Sequence, residues 1–195
     1  MLSEALCYIR PSLANLGHAN IIKYCERPFN SVAEMNQTLI KNFNKIIKDD
    51  DMVYHVGDLC FRNSPGGKHG EGSVDKAFTY VKKFKGLWIY LKGNHDRNNS
   101  LKTKLTSCVI EFANKKIWLT HKPQDANPEY AINIVGHVHG AWKIKRLNKT
   151  SIMYNAGVDV HDFKPVSLDK VMDNINKWLR EEKNGETRKD KQKRS

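Results

Sequence analysis

Apolar positions in the first part of the chain predict a short strand followed by a helix. The run Leu6–Ile9 has strand character and is stopped by Pro11. After a loop, Ser31 and Glu34 stand three residues apart, which is the spacing of a capping box at a helix N-terminus. Apolar side chains then recur at helical intervals, at Met35, Leu39, Ile40, Phe43, Ile46 and Ile47. Asp49–Asp51 marks the expected end of this amphipathic helix.

The next stretch repeats the alternation of strand and helix. Met52–Val56 and Leu87–Leu91 are short apolar runs that are typical of strands. Between them, Arg62–Gly72 is rich in Gly, Pro and Asn and indicates a loop. A helix is expected from Ser73, with Gly86 as its stop. Its inner face is expected to consist of Val74, Ala77, Phe78, Val81 and Phe84.

Strands dominate the second half of the chain. The predicted strands are Ser107–Phe112, Lys116–Thr120, Ile132–Val135, Trp142–Arg146 and Ser151–Tyr154. Asn114 and Asn148 stand where two hairpins would turn. An amphipathic helix follows from Ser167 to about Arg180. The mixture predicts an α/β or α+β fold, in which a two-sheet β-sandwich is flanked by helices.

Length and charge narrow the class of protein. The chain has 195 residues and no apolar run of membrane-spanning length, so we expect one domain over residues 1–180 and a charged, disordered tail over 181–195. The net charge of +12 favours anionic partners, either phosphorylated small molecules and nucleotides or nucleic acid, although a solvated lysine-rich surface explains the charge equally simply. Four cysteines without a CxxC pair favour a reducing cytoplasm.

Polar clusters follow four of the predicted strands. They are Gly57-Asp58, Gly93-Asn94-His95-Asp96, Thr120-His121-Lys122 and Gly136-His137-Val138-His139-Gly140. Each cluster alone is weak, because a Gly-Asp pair is usually a turn and a lone histidine is usually structural. The pair His137 and His139 is stronger, since alternate residues of an extended segment share one face. Loops at strand ends carry the chemistry of many α/β folds, so these clusters are expected to meet.

Taken together, the clusters supply a mixed set of nitrogen and oxygen ligands. One carboxylate, one carboxamide and three imidazoles suit a divalent transition metal such as Mn, Fe, Zn or Ni, with Mn as our first choice, rather than Ca or Mg. Thiolates are missing from the set, which argues against a structural zinc site. One or two ions are expected.

The order GD–GNHD–H–GHVH resembles the calcineurin-like metallophosphoesterases. Further stretches, GHANIIKYCERPF, VYHVGDLCF, LKGNHDR, LTHKP and NAGVDVHDFKPVSLD, resemble small bacterial and phage phosphoesterases of that family. The resemblance implies a sandwich of two sheets flanked by helices, and two metal ions that share the carboxylate of Asp58. It also implies that Asn94, His121 and His137 bind the second metal and that His139 binds the first.

The resemblance further implies roles in catalysis. His95 would assist at the phosphate or the leaving group, and Asp96 would fix its tautomer. The metals would acidify a water that attacks phosphorus in line. The basic residues that could hold a phosphate are Arg27, Arg62, Arg97 and Lys122, although surface charge is the simpler explanation for any one of them. His18 is expected to face the substrate, and His55, His69 and His161 are expected to be structural or exposed.

The sequence departs from the family at its start. The family carries an Asp-x-His element that gives the first metal two ligands, and alignment on GHAN places Leu13 and Asn15 in those positions. Leu13 cannot bind a cation, and Asn15 offers only a neutral carbonyl oxygen. Losses even in the outer shell of a metal site typically weaken it about 10- to 100-fold, so the first site is expected to be severely weakened.

Three interpretations follow. The chain is a phosphoesterase that works weakly, with one metal or with a substitute ligand such as His18. Alternatively, it is a pseudoenzyme that binds a nucleotide or nucleic acid without turning it over. In the third interpretation, a changed reading frame or start has replaced the residues before Gly17. We favour a metal-dependent hydrolase of a phosphomonoester or phosphodiester with reduced activity.

Overall fold

A computed structural model describes residues 7–10, 15–61, 76–98 and 103–192, with the backbone alone given for 7–10, 97–98 and 185–192. Its first sheet has four strands, β1 (Cys7–Arg10), β2 (Met52–His55), β3 (Leu87–Tyr90) and β9 (Val166–Ser167), in the order β3-β2-β1-β9. Strands β1, β2 and β3 run parallel, and β9 is antiparallel to β1. The carboxyl ends of the three parallel strands therefore lie at the same edge of the sheet.

The second sheet has five strands. They are β4 (Ser107–Phe112), β5 (Lys115–Thr120), β6 (Ile132–Val135), β7 (Ile144–Arg146) and β8 (Ile152–Asn155), in the order β4-β5-β6-β8-β7. Both predicted hairpins are confirmed as antiparallel pairs. Ala113 and Asn114 turn the first hairpin with φ values of 50° and 58°, the left-handed conformation that a two-residue hairpin turn requires. Strands β5, β6 and β8 are parallel.

Four α-helices surround the sheets: α1 (Ala19–Tyr24), α2 (Val32–Ile46), α3 (Ala77–Val81) and α4 (Leu168–Gln192). The start of α2 is capped as predicted, since Ser31 Oγ accepts the backbone N–H of Glu34 at 3.1 Å. The Glu34 carboxylate reaches one residue further back than a standard capping box and accepts the N–H of Asn30 at 2.8 Å.

The inner face of α3 differs from the prediction. Phe78 was expected to face the core, but 54% of its surface is exposed, whereas Ala77 and Tyr80 are buried. The described helix is a single short turn, and residues three apart on it share the buried face. Ala77 is buried as predicted, and Val81 and Phe84 pack against the core while partly exposed, so among the described residues Phe78 is the one that the periodicity misplaced. The predicted start at Ser73 and Val74 lies outside the described residues.

Helix α4 continues to Gln192, beyond the predicted end near Arg180 and through most of the segment expected to be a disordered tail. An ion pair between Arg146 on β7 and Glu182 at 2.7 Å holds the helix past that point. A weaker pair joins Lys177 to Glu181 one turn apart at 3.9 Å. Within the described residues, no helix combines the length and the apolar character that crossing a bilayer requires.

Two clusters of buried side chains form the core. One fills the space between the sheets and includes Val56, Leu91, Leu119, Ile134, Tyr154 and, from α4, Val171 and Ile175. The other lies under α1, α2 and α3 and includes Leu16, Met35, Leu39, Phe43 and Tyr80. The predicted mixed α/β architecture, with two sheets flanked by helices, is confirmed.

A short seam fixes the segment that precedes α1. Leu16 N donates to Leu59 O, and Phe61 N donates to Leu16 O, each at 3.1 Å. Leu16 and Cys60 are thereby joined in a parallel bridge, and both side chains are fully buried. The GHAN segment is therefore anchored to the loop that follows β2.

Candidate metal centre

Loops after four parallel strands converge on one point between the sheets. Asp58 follows β2, Asn94 follows β3, His121 follows β5 and His137 follows β6. Asp58, His121 and His137 each offer a ligand atom, and the three atoms lie within 4.8 Å of one another. The sequence motifs were separated by up to eighty positions, and the convergence of strand ends brings them together.

His121 shows why this cluster fits a cation. Its Nδ1 lies 2.9 Å from the Val56 carbonyl oxygen, which can only accept, so Nδ1 carries a hydrogen. Nε2 faces Asn94 Oδ1 at 2.8 Å and Asp58 Oδ2 at 3.2 Å, and it presents a lone pair to them in the protonation state that binds a metal. Three acceptor atoms therefore meet in a buried place, and a divalent metal ion satisfies all three at once.

Close backbone packing builds this cluster. A Cβ on Gly57 would lie 2.6 Å from His121 Nδ1, and a Cβ on Gly93 would overlap the Asp58 carboxylate. Gly57 also has a φ of +100°, a conformation that side chains rarely adopt. Asp58 and His137 themselves have positive φ values of 55° and 67°. Such strain is typical of residues that are held for a functional geometry.

Asp96 joins the two loops that carry Asp58 and Asn94. Its Oδ2 accepts the backbone N–H groups of Asp58 and Gly93, each at 2.8 Å, and the residue is 4% exposed. The next residue back, His95, donates its backbone N–H to Asp58 Oδ1 at 2.8 Å. Asp96 thus fixes the position of the metal-facing carboxylate, while its predicted effect on the His95 ring stays a prediction.

The pKa values respond to this packing. Burial by itself raises the pKa of Asp58, but hydrogen bonding and charge from His121 and His95 outweigh it and leave the pKa below its usual value. Burial lowers the pKa of His137, and the nearby His121 lowers it further. An ionised carboxylate and a neutral imidazole are the protonation states in which both groups bind a metal.

The first of the two predicted metal positions has fewer suitable ligands among the described residues. Asn15 is 1% exposed with a φ of 38°, and its Oδ1 finds no hydrogen-bond partner among the described residues. Its backbone N–H lies 3.4 Å from the Asp58 carbonyl oxygen, which places it beside the centre. A buried oxygen without a partner fits a cation, although a neutral amide binds one weakly. Leu13 lies outside the described residues.

His139 lies apart from the cluster of three. The prediction that His137 and His139 share one face of an extended segment is wrong, because both have positive φ values and the segment turns. His139 Nδ1 lies 3.7 Å from Asp159 Oδ2, and its carbonyl oxygen accepts from Asn155 Nδ2 at 2.7 Å. His139 as a ligand of the first metal therefore stays a prediction.

Arg27 has a different partner from the one expected. The sequence put it forward for substrate phosphate, but its side chain is fully buried and pairs with Asp159 through Nε at 2.7 Å and Nη2 at 2.9 Å. Burial raises the pKa of Asp159, but His139 and Arg27 outweigh it and lower the pKa overall. At 3.7 Å His139 acts through its charge, so we attribute most of the lowering to the two-pronged contact with Arg27.

The remaining predicted residues are distributed around the centre. Lys122 lines a cavity of about 520 Å³ beside Asn94, His121 and His137. His18 is buried and stacks on Phe61, with ring centroids 3.9 Å apart. Arg62 lies outside the described residues, and only the backbone of Arg97 is described.

Two other histidines have structural partners. Gly57 N donates to His55 Nδ1 at 3.2 Å, which supports the turn that carries Asp58. His161 stacks on Tyr154 and lies 3.0 Å from the Asn155 carbonyl oxygen. Both are consistent with the structural role expected for them, and His69 lies outside the described residues.

Sequence reasoning missed three residues near the centre. Lys92 lines the cavity, Phe61 lies between His18 and His95, and Asp159 neutralises Arg27. Lys92 directly precedes the GNHD motif and Phe61 closely follows Asp58, so proximity to a motif was an available signal. Asp159 lies in the stretch NAGVDVHDFKPVSLD that carried the resemblance, but 132 positions separate it from Arg27, so the sequence did not indicate that the two residues pair.

Comparison with known proteins finds chains of similar sequence or fold. An uncharacterized protein of Methanocaldococcus jannaschii, MJ1445, is 35% identical over 170 residues, which cover 84% of this chain and 88% of that protein. The protein of unknown function AQ665 from Aquifex aeolicus has a similar fold, with a TM-score of 0.65 and 24% identity over 88% of this chain and all of that one. A predicted phosphoesterase of Streptococcus pneumoniae TIGR4 matches more distantly, with a TM-score of 0.39 and 16% identity over 80% of this chain and 74% of that one.

A family model bears on function more directly. The model of the calcineurin-like phosphoesterases, which are metal-dependent hydrolases of phosphoric esters, matches residues 18–193. The match spans the loops after β2, β3, β5 and β6, and it begins after the segment in which the first-metal ligands are missing. The chain therefore belongs to the calcineurin-like phosphoesterase family.

Proposed function

We propose that this chain hydrolyses a phosphomonoester or phosphodiester with a metal ion at Asp58, Asn94, His121 and His137, and that its activity is reduced by a weak first site. The observation that carries the proposal is the meeting of three acceptor atoms at His121, with Nε2 only 2.8 Å from Asn94 Oδ1 and 3.2 Å from Asp58 Oδ2. In a buried place this arrangement is unfavourable unless a positive charge lies between the atoms.

The metal supplies Lewis acidity toward the phosphate and acidifies a water. The protein residues hold the geometry. The Val56 carbonyl fixes the tautomer of His121, so that Nε2 presents its lone pair to the centre. Asp96 and the backbone of His95 keep the Asp58 carboxylate in place. The half-buried His95 follows Asn94 directly, and we assign it the protonation or stabilisation of the departing oxygen.

We infer that Mn is the native metal, with Fe, Zn or Ni as the alternatives. Carboxylate, amide and imidazole ligands favour this group of ions. Cys60 lies close to Asp58 in sequence, but burial and the negative charges of Asp96 and Asp58 raise its pKa to about 12. Without a metal, the thiol is therefore protonated at neutral pH.

A second candidate is a binding module that has lost turnover. The observation that favours it is the composition of the first site, where Asn15 supplies a neutral oxygen and His139 lies next to Asp159 rather than in the cluster. Without a clamp on both the attacking and leaving oxygens, phosphoryl transfer loses a large part of its transition-state stabilisation. Such a module would still bind a nucleotide or nucleic acid.

Metal content and turnover separate the two candidates. We expect one Mn bound per chain, measured by elemental analysis after dialysis, and slow Mn-dependent hydrolysis of bis(p-nitrophenyl) phosphate. Asn94→Ala should abolish turnover, because it removes one of the acceptors at His121. Asn44→Ala is the matched control, since Asn44 also makes two side-chain hydrogen bonds but lies on α2 outside the metal loops.

A contrary outcome is equally clear. Turnover that Asn94→Ala leaves unchanged would mean that the hydrolysis comes from another site or a contaminant. Saturable nucleotide binding with no turnover under any of the four metals would favour the binding module instead.

A further inference from the structure

A cavity of about 520 Å³ opens beside the metal centre, next to Asn94, His121 and His137. Its volume is in the range of small-molecule sites, and it exceeds what one phosphate needs. Lys92 and Lys122 line it, together with Thr106, Gln124 and Asp125. The metal centre alone does not account for these five residues.

We propose that this cavity binds a second anionic group of the substrate, so that the enzyme acts on compact bisphosphorylated esters, with sugar bisphosphates as the model class. The inference rests on the proposed function for the identity of the reaction, but the binding of the second phosphate is a separate property. Lys92 follows β3 of the first sheet and Lys122 follows β5 of the second sheet. The two lysines therefore stand on the two loops that meet at the contact between Asn94 and His121.

The backbone at both lysines is fixed. Lys92 N donates to the Leu105 carbonyl oxygen at 2.6 Å, which ties the end of β3 to the segment carrying Thr106. Lys122 precedes a short 3-10 turn at Pro123–Asp125, which Asp125 N closes by donating to Lys122 O at 3.0 Å. Trp118 Nε1 adds a bond to the Asp125 carbonyl oxygen at 3.1 Å. The lysines thus extend from defined positions, which reduces the entropy cost of binding an anion.

Electrostatics favours an anion in this cavity. Two lysines face one acidic residue, Asp125, so the described lining carries a net positive charge. An ammonium attracts a phosphate oxygen more strongly as water is excluded from the space between them.

The lining also indicates the kind of leaving group. Among the described residues that line the cavity, the only aromatic rings are the imidazoles of His121 and His137. Recognition of a nucleobase usually uses an aromatic platform for stacking. Thr106, Gln124 and Asp125 instead offer hydroxyl, amide and carboxylate groups that suit sugar hydroxyls. The combination favours a phosphorylated sugar over a nucleoside.

Matched substrates test the proposal. Release of phosphate from fructose 1,6-bisphosphate and from fructose 6-phosphate would be compared with the full chain loaded with Mn. We expect kcat/KM to be about five- to tenfold higher for the bisphosphate. Lys92→Met and Lys122→Met should each reduce that ratio towards one, because each removes one positive charge from the cavity. Lys45→Met, on the exposed last turn of α2, removes the same charge elsewhere and should leave the ratio unchanged.

Calorimetric binding of both sugars to the Mn-loaded chain makes the test independent of turnover. If neither the sugars nor the aryl ester is hydrolysed but the bisphosphate binds more tightly and Lys92→Met removes the difference, the cavity assignment stands and the hydrolase proposal fails. If an aryl ester is hydrolysed but the two sugars bind and react alike, the cavity assignment is overturned and the hydrolase proposal stands. Equal binding without any turnover would also overturn the cavity assignment.

Discussion

The proposed second metal site and the proposed first metal site of this chain would be built by different parts of the fold. The ligands proposed for the second site, Asp58, Asn94, His121 and His137, come from loops after two parallel strands of each sheet, and close backbone packing at Gly57 and Gly93 supports them. The first site as proposed would depend on the segment after β1, where Asn15 offers a neutral oxygen. The comparison indicates that residues at one strand end can change while those around Asp58 keep a geometry that suits a metal.

The supports of the two sites also differ in kind. Hydrogen bonds from backbone N–H groups to Asp96 hold the second site together. On the first-site side, the buried ion pair of Arg27 with Asp159 lies next to His139. Removing one partner of a buried ion pair strongly lowers stability, because the other charge stays buried without a partner. Close backbone packing is disrupted instead when an added side-chain atom overlaps its neighbours. The following experiments, from the largest expected effect to the smallest, exploit these differences.

Restoring the first site should have the largest effect. The double substitution Leu13→Asp with Asn15→His supplies the two ligands that the family carries. Each restored ligand should improve affinity for the first metal by about 10- to 100-fold, and the second ion adds a clamp on the reacting oxygens. We expect a second Mn per chain in elemental analysis and a gain in kcat/KM on the order of 100-fold or more.

The single substitutions are the controls for this repair. Leu13→Asp alone and Asn15→His alone should each give a smaller gain, because each restores one ligand. A double variant that is folded, by circular dichroism, yet gains neither metal nor rate would refute the alignment that assigns these positions to the first site.

Breaking the buried ion pair should have the next largest effect, on stability. Arg27→Met leaves the Asp159 carboxylate buried without its counter-charge, and Asp159→Leu strands the guanidinium. Each should lower the free energy of unfolding by about 3 to 5 kcal/mol in urea titrations. The double variant should be less destabilised than the sum of the two, because no uncompensated charge remains.

An additive double variant would contradict this account and indicate that the residues contribute separately. Measuring Mn affinity in the same Arg27 and Asp159 variants separates the two proposed sites further. Affinity at the second site should change little, since neither residue touches the cluster of three.

Alanine substitutions at Gly93 and Gly140 compare the second-site side and the first-site side of the centre directly. An alanine at Gly93 would push its Cβ into the Asp58 carboxylate, whereas at Gly140 the Cβ would lie 3.8 Å from Asp159 Cβ, an ordinary contact. Gly93→Ala should therefore weaken Mn binding by about 10- to 100-fold, because a bound ligand must shift. Gly140→Ala is the matched control and should bind Mn as the wild type does, measured by calorimetry. Equal affinities in the two variants would show that the packing at Gly93 does not set the position of Asp58.

Lowering the pH should lower the free energy of unfolding through His161, which lies near the proposed first site. This is the smallest effect that we expect. Burial lowers the pKa of His161 from 6.5 to about 4, although its contact with the Asn155 carbonyl acts in the opposite direction. Between those values the unfolded state binds a proton that the folded state rejects, so the stability present above pH 6.5 is lost as the pH falls towards 4. The loss should reach at most about 3 kcal/mol.

His161→Gln removes the titrating group and should flatten this part of the pH profile of the unfolding free energy. Asn155 connects His161 to the loop of His139, since its Nδ2 donates to the His139 carbonyl oxygen. A wild-type profile that is already flat between pH 4 and 6.5 would contradict the lowered pKa.

Local signals in the sequence predicted local structure well. Alternating residues on either side of Asn114 predict a hairpin, because neighbouring positions decide both the strand faces and the turn. The cap at Ser31 was visible for the same reason. The periodicity failed at Phe78, where a single helical turn offers too few positions to define a face.

The sequence predicted the candidate site only for the residues that lie in recognisable motifs. The metal-facing residues stand in short clusters with a recognisable order, so their convergence could be expected. The roles of Arg27 and His139 could not be predicted. They depend on Asp159, whose pairing with a residue 132 positions away its own motif does not indicate, and on left-handed backbone that breaks the alternation of an extended segment. The positive charge of Arg27 led to the prediction that it binds a phosphate, whereas in the structure its guanidinium pairs with the buried carboxylate of Asp159.

The seam at Leu16 has a consequence for protein engineering. Because Leu16 is bonded on both sides to the loop after β2 and is fully buried, it fixes one end of the segment that leads from β1 to the GHAN sequence, and the pairing of β1 with β2 and β9 fixes the other. The residues between β1 and Leu16 can therefore be exchanged as a short cassette between two fixed ends. A library of such cassettes would allow metal number to be selected while the second site, the cavity and the core remain constant.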